Sequence, residues 1–371
     1  MRNFGQNFLQ DSTQKINIAP KDEEYEVSVF GRGYGECIVI CCGNNEYVII
    51  DSFLNPETKN PIALDYLKCM NIDFDKIKKI VITHWHDDHI RGAFKIVKAV
   101  ENDIKIVLNP IVMEEKFNQY ISYGLHDSGD NGLSEMRYIL NYIRNNKNSC
   151  DIALCNLRFY ANEEKNNIEL WTLSPQNIEL VEYLNQLLFP EQNKQTSKSY
   201  ISDNNLSLVI LVKAGNSGAL LGGDLENTSN NNVGWTAIVN NYQHKNTHPN
   251  IFKIPHHGSE NGFYEGVWSN ILDEEPVALI TTFNKSTKLP KDSEIKKICK
   301  YSNIVYVIGG TEKDNTLERK VRKVSSGIKN LYTNIPIVGM VRYRMNMKTN
   351  IHYIEKYGKV TELLSVNDSQ K

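Results

Sequence analysis

Thr83-His84-Trp85-His86-Asp87-Asp88-His89 is the stretch on which the reading of this chain turns. It follows a short apolar run at 79–83 with strand character and precedes an amphipathic pattern over 90–100 with helical spacing. Its pattern, His-x-His-x-Asp-His, therefore falls at a strand-to-helix turn. Imidazoles two positions apart at a strand end can face the same side and chelate one ion. The Asp-His pair just beyond is placed to hold a second. Nitrogen and carboxylate ligands of this kind suit zinc, and a catalytic site leaves one position open for water.

Upstream, residues 25–30 alternate, and 37–42 with 47–51 read as a hairpin about Gly43-Asn44-Asn45. A helix is predicted over 62–70 and a further strand at 104–108. Strands alternating with helices predict an α/β layered domain. Over about 110–200 the pattern becomes helical (114–123, 133–145, 177–188), broken by a Gly-rich loop at 126–132 and by Pro190. We read that stretch as a mostly helical insertion over one edge of the core. A second hairpin (206–212 with 219–223), a helix near 233–242, strands at 251–255, 277–282 and 304–308, and two final strands at 338–345 and 351–357 follow. The expected organisation is a flexible N-terminal arm over 1–22, a catalytic domain over 23–330, and a C-terminal β extension over 331–371.

Histidine placement extends the motif. Of nine histidines, five fall in two clusters: His84, His86 and His89, then His256 and His257. The others, His126, His244, His248 and His352, are scattered. A dinucleotide fingerprint is excluded, because Gly31-Arg32-Gly33-Tyr34-Gly35 has the wrong spacing and leads into a strand. Neither a Gly-x-Ser-x-Gly element nor a P-loop is present.

These residues resemble the metallo-β-lactamase fold, whose four-layer αββα sandwich carries His-x-His-x-Asp-His at a strand-to-helix turn. The resemblance implies an orienting Asp at an earlier strand end, here Asp51 in Ile49-Ile50-Asp51. It implies a later metal-bridging Asp, matched by Leu220-Leu221-Gly222-Gly223-Asp224, and a last His, matched by Ile254-Pro255-His256-His257-Gly258-Ser259. The His-His-Gly-Ser form, with Asn205-Leu206-Ser207-Leu208-Val209, is most similar to the domain found in competence DNA-uptake proteins (ComEC-type). Gly33-Tyr34-Gly35-Glu36-Cys37 resembles that branch's early Gly-x-Gly-Asp turn, with Glu36 in place of Asp.

The implied metal ligands are His84 and His86 for one ion, Asp88, His89 and His257 for the other, and Asp224 between them. His257 is preferred over His256 because it directly precedes Gly258; the remaining imidazole could hydrogen-bond a leaving group or a phosphate oxygen. Asp51, Asp88, Asp224 and His256 are the expected catalytic set. His126 is the one candidate for a further imidazole on the first ion, although an exposed loop histidine is the simpler reading. Leu289-Pro290 stands where the branch often has His-Pro. Ser259 reads as a turn cap or a substrate donor, and Lys253 as a surface lysine.

Composition narrows the rest. With 40% hydrophobic residues, 9% aromatics and a formal charge of -2, the chain is neither disordered nor a globally basic coat protein. Seven cysteines without a CxxC pair point to a reducing, cytoplasmic setting with no disulfide framework. No run approaches the ~20 apolar residues of a membrane span. Residues 285–348 hold fifteen Lys+Arg against five Asp+Glu, a balance of +10, so the remainder sits near -12. This segment, Arg319, Lys320, Arg322 and Lys323 included, is either a solvated face or the footprint of an anionic partner such as DNA, RNA or a nucleotide.

The expectation is a hydrolase with two divalent ions, zinc or else manganese, cleaving a phosphoester as a nuclease or nucleotide phosphodiesterase. The alternatives are a lactone, thioester or amide hydrolase of the same fold, and a metal-stabilised nucleic-acid-binding protein without turnover.

Overall fold

The computed structural model describes residues 16–100, 104–119, 131–162, 168–189, 201–285, 287–309 and 338–364. Two sheets of eight strands dominate it. The first contains β1 (Glu24–Gly31), β2 (Glu36–Cys41), β3 (Tyr47–Ile50), β4 (Ile77–Val81), β5 (Lys105–Leu108) and β6 (Cys150–Ile152), extended beyond β1 by β14 (Gly339–Asn346) and β15 (His352–Gly358). The second runs from β7 (Leu157–Asn162) through β8 (Ile168–Thr172), β9 (Ile210–Ala214), β10 (Ser217–Leu221), β11 (Ile251–Lys253), β12 (Val277–Thr281) and β13 (Ile304–Ile308) to β16 (Val360–Leu364).

Most of the central strands are apolar at consecutive positions because both faces are covered. In β2, Cys37, Val39 and Cys41 pack outward with Ile62, Tyr66, Ile96 and Val97, from helices α1 (Ile62–Cys69) and α3 (Ala93–Ala99). Ile38 and Ile40, with Cys42 just beyond, pack inward against Leu208, Ile210, Val212 and Leu221 of the other half. A third cluster joins Val209, Leu211, Leu220 and Ile280 to Trp235, Ile238, Val267, Trp268 and Ile298. Those five come from α6 (Gly234–Asn240), α7 (Glu265–Asn270) and α8 (Asp292–Ile298). The result is the expected four-layer αββα sandwich.

Three features differ from the sequence reading. The stretch 110–200 holds α4 (Asn131–Asn145) and α5 (Asn177–Leu188), but also β6, β7 and β8, which complete the edges of both sheets. Their alternation is short and polar-facing, so it is weak beside the helical signal. The last strands are not an appendage: β14 pairs with β1 over eight residues, and β16 pairs with β13. The helix predicted over 90–100 is divided into α2 (Asp87–Ile90) and α3, because Gly92 takes φ 82°. Among the described residues no helix is long and apolar enough to cross a membrane.

Candidate metal centre

Parallel pairing of β3 with β4, of β10 with β11 and of β11 with β12 brings their carboxyl ends to one edge of the sandwich. Ligands of open α/β sheets bind at such edges. Asp51 follows β3, Thr83 to His86 follow β4, Asp224 follows β10, His256 and His257 follow β11, and Thr281 ends β12. The Gly222-Gly223 pair makes this approach possible. A Cβ on Gly222 would lie 2.9 Å from the Pro255 Cβ, and Gly223 holds φ 51° with Leu208 O 3.0 Å from where its Cβ would be. Asp51, His256 and His257 also lie in the left-handed region, at φ 57°, 46° and 52°. Such conformations cost energy away from glycine and cluster at functional sites.

Asp88, His89, Asp224 and His257 are all buried, and each offers a ligand atom within 4.8 Å of the others. His257 Nε2 is 3.2 Å from Asp88 Oδ2 and 3.6 Å from Asp224 Oδ2. His89 Nε2 and Asp224 Oδ1 face each other at 3.3 Å, yet each lacks a hydrogen-bond partner. Buried polar atoms are rarely left so; two converging ligand atoms that need a cation are the physical reason that fits.

The electrostatics agree. Burial works to lower the His89 imidazole, but Asp224, Asp88 and Asp51 outweigh it and raise it well above its usual value. Burial works to raise Asp224, yet His89 and His257 hold it well below the ordinary carboxylate range, and Asp88 is lowered in the same way. In the metal-free protein a protonated His89 thus balances the carboxylates, a place that a divalent ion could take, and the donor set fits such an ion. His84 lies beside it, Nε2 3.9 Å from Asp224 Oδ2 and 3.0 Å from His86 Nδ1. Burial and the neighbouring imidazoles keep His84 well below its usual value, so it is neutral and ligand-competent. His86 is the half-buried member, its side chain 41% accessible and its Nε2 3.8 Å from Asp203 Oδ2.

Hydrogen bonds fix the rings from behind. Asp51 accepts from the Thr83 amide at 2.8 Å, from the Thr83 hydroxyl at 2.7 Å and from His89 Nδ1 at 2.7 Å. With its hydrogen given to Asp51, the Thr83 oxygen faces His84 Nδ1 at 3.0 Å as an acceptor. Nδ1 then carries a proton on both rings, so Nε2 is the atom that would offer a lone pair to an ion, on His89 once the ion displaces the second proton its carboxylate neighbours hold there.

His256 turns away from the cluster. Its Nδ1 is 3.1 Å from Glu226 Oε1, and its Nε2 is 3.3 Å from Asn204 Nδ2. Burial would lower this imidazole, but Glu226 and then Asp224 raise it. It lines a cavity of about 1040 Å³ whose lining also includes Asp88, Asp224, His257, Tyr34, Arg91, Lys285 and Lys291. Ser259 accepts from the Gly262 amide at 3.2 Å, the capping reading.

Two expectations are overturned. Lys253 is fully buried, not a surface lysine: its Nζ is 2.6 Å from Glu36 Oε2 and donates to Gly223 O at 3.0 Å. Arg342 and Arg344, counted in the basic segment, are buried and paired with Glu355 and Glu26, so they are part of the core and not of a surface footprint. His126, Arg319, Lys320, Arg322 and Lys323 lie outside the described residues. Sequence reasoning missed Asn204, Glu226, Lys253 and Thr281. A lysine flanked by apolar residues in a strand bounded by Pro255 was the one available signal.

Residues 30–151 match the Metallo-beta-lactamase superfamily model. Solved structures similar to the chain include a metallo-beta-lactamase from Cronobacter sakazakii with a mutated HARLDQ motif, at 10% identity and TM-score 0.31, covering 55% of this chain and 63% of that one. Rm3 metallo-beta-lactamase is similar at 11% identity and TM-score 0.30, over 58% of this chain and 66% of that one. A flavo di-iron protein mutant from Thermotoga maritima shows 10% identity and TM-score 0.28, over 80% and 54%. The chain thus spans just under two thirds of the length of the first two.

Proposed function

We propose that this chain, which matches the metallo-β-lactamase superfamily model over residues 30–151, is a metal-dependent hydrolase of that superfamily acting on phosphoesters. The observation that carries the reading is the buried set Asp88, His89, Asp224 and His257, opening onto a cavity with cationic groups on its walls. His84 and His86 complete a second set that shares Asp224. Bound divalent ions, zinc or else manganese, would supply Lewis-acid polarisation and an activated water. The protein's own part is to hold the imidazoles through Asp51 and Thr83, and to present His256 to a leaving-group or phosphate oxygen.

A phosphoester is favoured over a lactone, thioester or amide by Arg91, Lys285 and Lys291 on the cavity wall and by the ComEC-type form of the motifs. Nuclease and nucleotide phosphodiesterase activity both suit that chemistry. The test couples metal analysis to a substrate panel: a nitrophenyl phosphodiester, single- and double-stranded DNA, RNA and cyclic dinucleotides, with a lactam and a lactone beside them. Wild type is expected to hold metal and turn over at least one phosphodiester, and Asp224→Ala to lose at least one ion and nearly all turnover. Turnover of the lactam or lactone with every phosphodiester inert would overturn the reading. So would binding of DNA without any cleavage by metal-loaded protein.

A further inference from the structure

Glu36 and Lys253 form an ion pair with almost no solvent contact, Lys253 at 0% and Glu36 at 1% exposure. Replacing such a pair by apolar residues is often neutral or stabilising, so its presence needs another explanation than stability. Its position supplies one. Glu36 opens β2 in the first sheet, and Lys253 ends β11 in the second. Glu36 Oε2 accepts from the Thr281 hydroxyl at 2.5 Å, and the Thr281 oxygen lies 3.1 Å from His257 Nδ1. The Thr281 carbonyl oxygen is 3.2 Å from the same nitrogen. Lys253 also binds the carbonyl of Gly223, the residue before Asp224.

The proton placement follows from these partners. A carboxylate paired with an ammonium accepts and does not donate, so Thr281 must give its hydroxyl hydrogen to Glu36. The threonine oxygen and carbonyl then both face His257 Nδ1 as acceptors, and that nitrogen must carry the ring proton. His257 Nε2, 3.2 Å from Asp88 Oδ2, is then the ring atom that would offer its lone pair to an ion held with Asp88 and Asp224. This repeats, in the other half of the sandwich, the Asp51–Thr83–His84 arrangement: carboxylate, threonine hydroxyl, imidazole.

We infer that the Lys253–Glu36 pair, acting through Thr281, is a positioning device that sets the tautomer and orientation of His257 and anchors the strand end bearing Asp224. In this role Glu36, Lys253 and Thr281 act through the ligands they hold in place. The inference rests on the metal-binding part of the proposed function and is independent of which bond is cleaved.

The test uses the full chain and reads metal affinity directly, by competition with a chromophoric chelator, beside the absorption spectrum of the cobalt-loaded protein. Thr281→Val removes the hydroxyl at similar volume, Thr281→Ser restores it, and Glu36→Gln neutralises the carboxylate. Thr281→Val and Glu36→Gln should weaken the tighter ion about 10–100-fold, the range for lost partners behind a metal ligand. They should alter the cobalt spectrum and leave the unfolding temperature of the metal-free protein within a few degrees. Thr281→Ser should bind as wild type does. Wild-type affinity and spectrum in both Thr281→Val and Glu36→Gln would overturn the inference. If Glu36→Gln fails to fold, the Val and Ser variants decide it alone. Absence of metal from wild type would instead refute the metal-centre reading, so the two failures are distinguishable.

Discussion

The Asp51 carboxylate takes a 2.7 Å hydrogen bond from His89 Nδ1 while standing in the left-handed region at φ 57°. A residue ending a strand is thereby turned inward, beneath the ring it orients. Both residues are essentially without solvent contact. Asp51→Asn would keep the shape but must offer an amide NH2 to one of three donors. Metal affinity is expected to fall about 10–100-fold, measured by chelator competition, with a metal-free fold that still melts cooperatively.

His86 and His257 should behave differently on deletion. His86 is half-buried and belongs to the pair with His84, whereas His257 belongs to the four-residue buried cluster. His86→Ala is expected to lose one ion and keep the other; His257→Ala should lose the ion held by Asp88, His89 and Asp224. Metal content per chain by elemental analysis distinguishes the two. Identical stoichiometry in both variants would contradict the division into two sets.

Arg344 and Glu26 form a second buried pair, Nε to Oε2 at 2.5 Å, in the β1–β14 ladder. Removing one member leaves an uncompensated buried charge, so Arg344→Met should cost about 3–5 kcal/mol. The double variant Arg344→Met with Glu26→Met should cost clearly less than the sum of the two single changes. Denaturant unfolding of all three measures it, and additivity would show that the pair is not coupled.

Glu179 links folding to pH. Its carboxylate accepts from the amides of Gly234 and Gln176, but burial dominates and pushes it up to about 7. A carboxyl raised in the folded state binds a proton that the unfolded chain has released. Its contribution is therefore full below the unfolded value near 4.3 and is lost as pH rises through about 7. Relative to Glu179→Gln, metal-free wild type should lose at most about 3 kcal/mol between pH 5 and 8. A pH-independent difference between the two would contradict the shift.

What could be read from the sequence was what lies contiguous in it. The His84 to His89 motif, Asp224 after two glycines and the His256-His257 pair each announce themselves within a few residues. The α/β layering followed from apolar strands such as 37–42 alternating with helical patterns, and the αββα sandwich from the resemblance those motifs carry. Residues whose roles depend on distant partners stayed hidden. Lys253 read as a surface lysine because an ammonium is expensive to bury, and nothing local reveals that Glu36 waits across the sandwich. Arg342 and Arg344 were counted toward a basic surface for the same reason. Strand β6 has three residues and no clean alternation, so its pairing with β5 is a tertiary outcome that no local pattern encodes.

The carboxyl ends of strands from both sheets meet at the site, and this divides the ligands between the two parts of the chain. Asp88 and His89 arrive with the first sheet, Asp224 and His257 with the second. Neither part, folded by itself, owns a complete coordination set. Ion uptake then reports docking of the two sheets, and an ion that binds only the docked form stabilises the sandwich by mass action. The metal would serve the molecule as a clasp as well as a reagent, and a nascent chain would stay chemically silent until β11 and the His257 that follows it had docked against the first sheet.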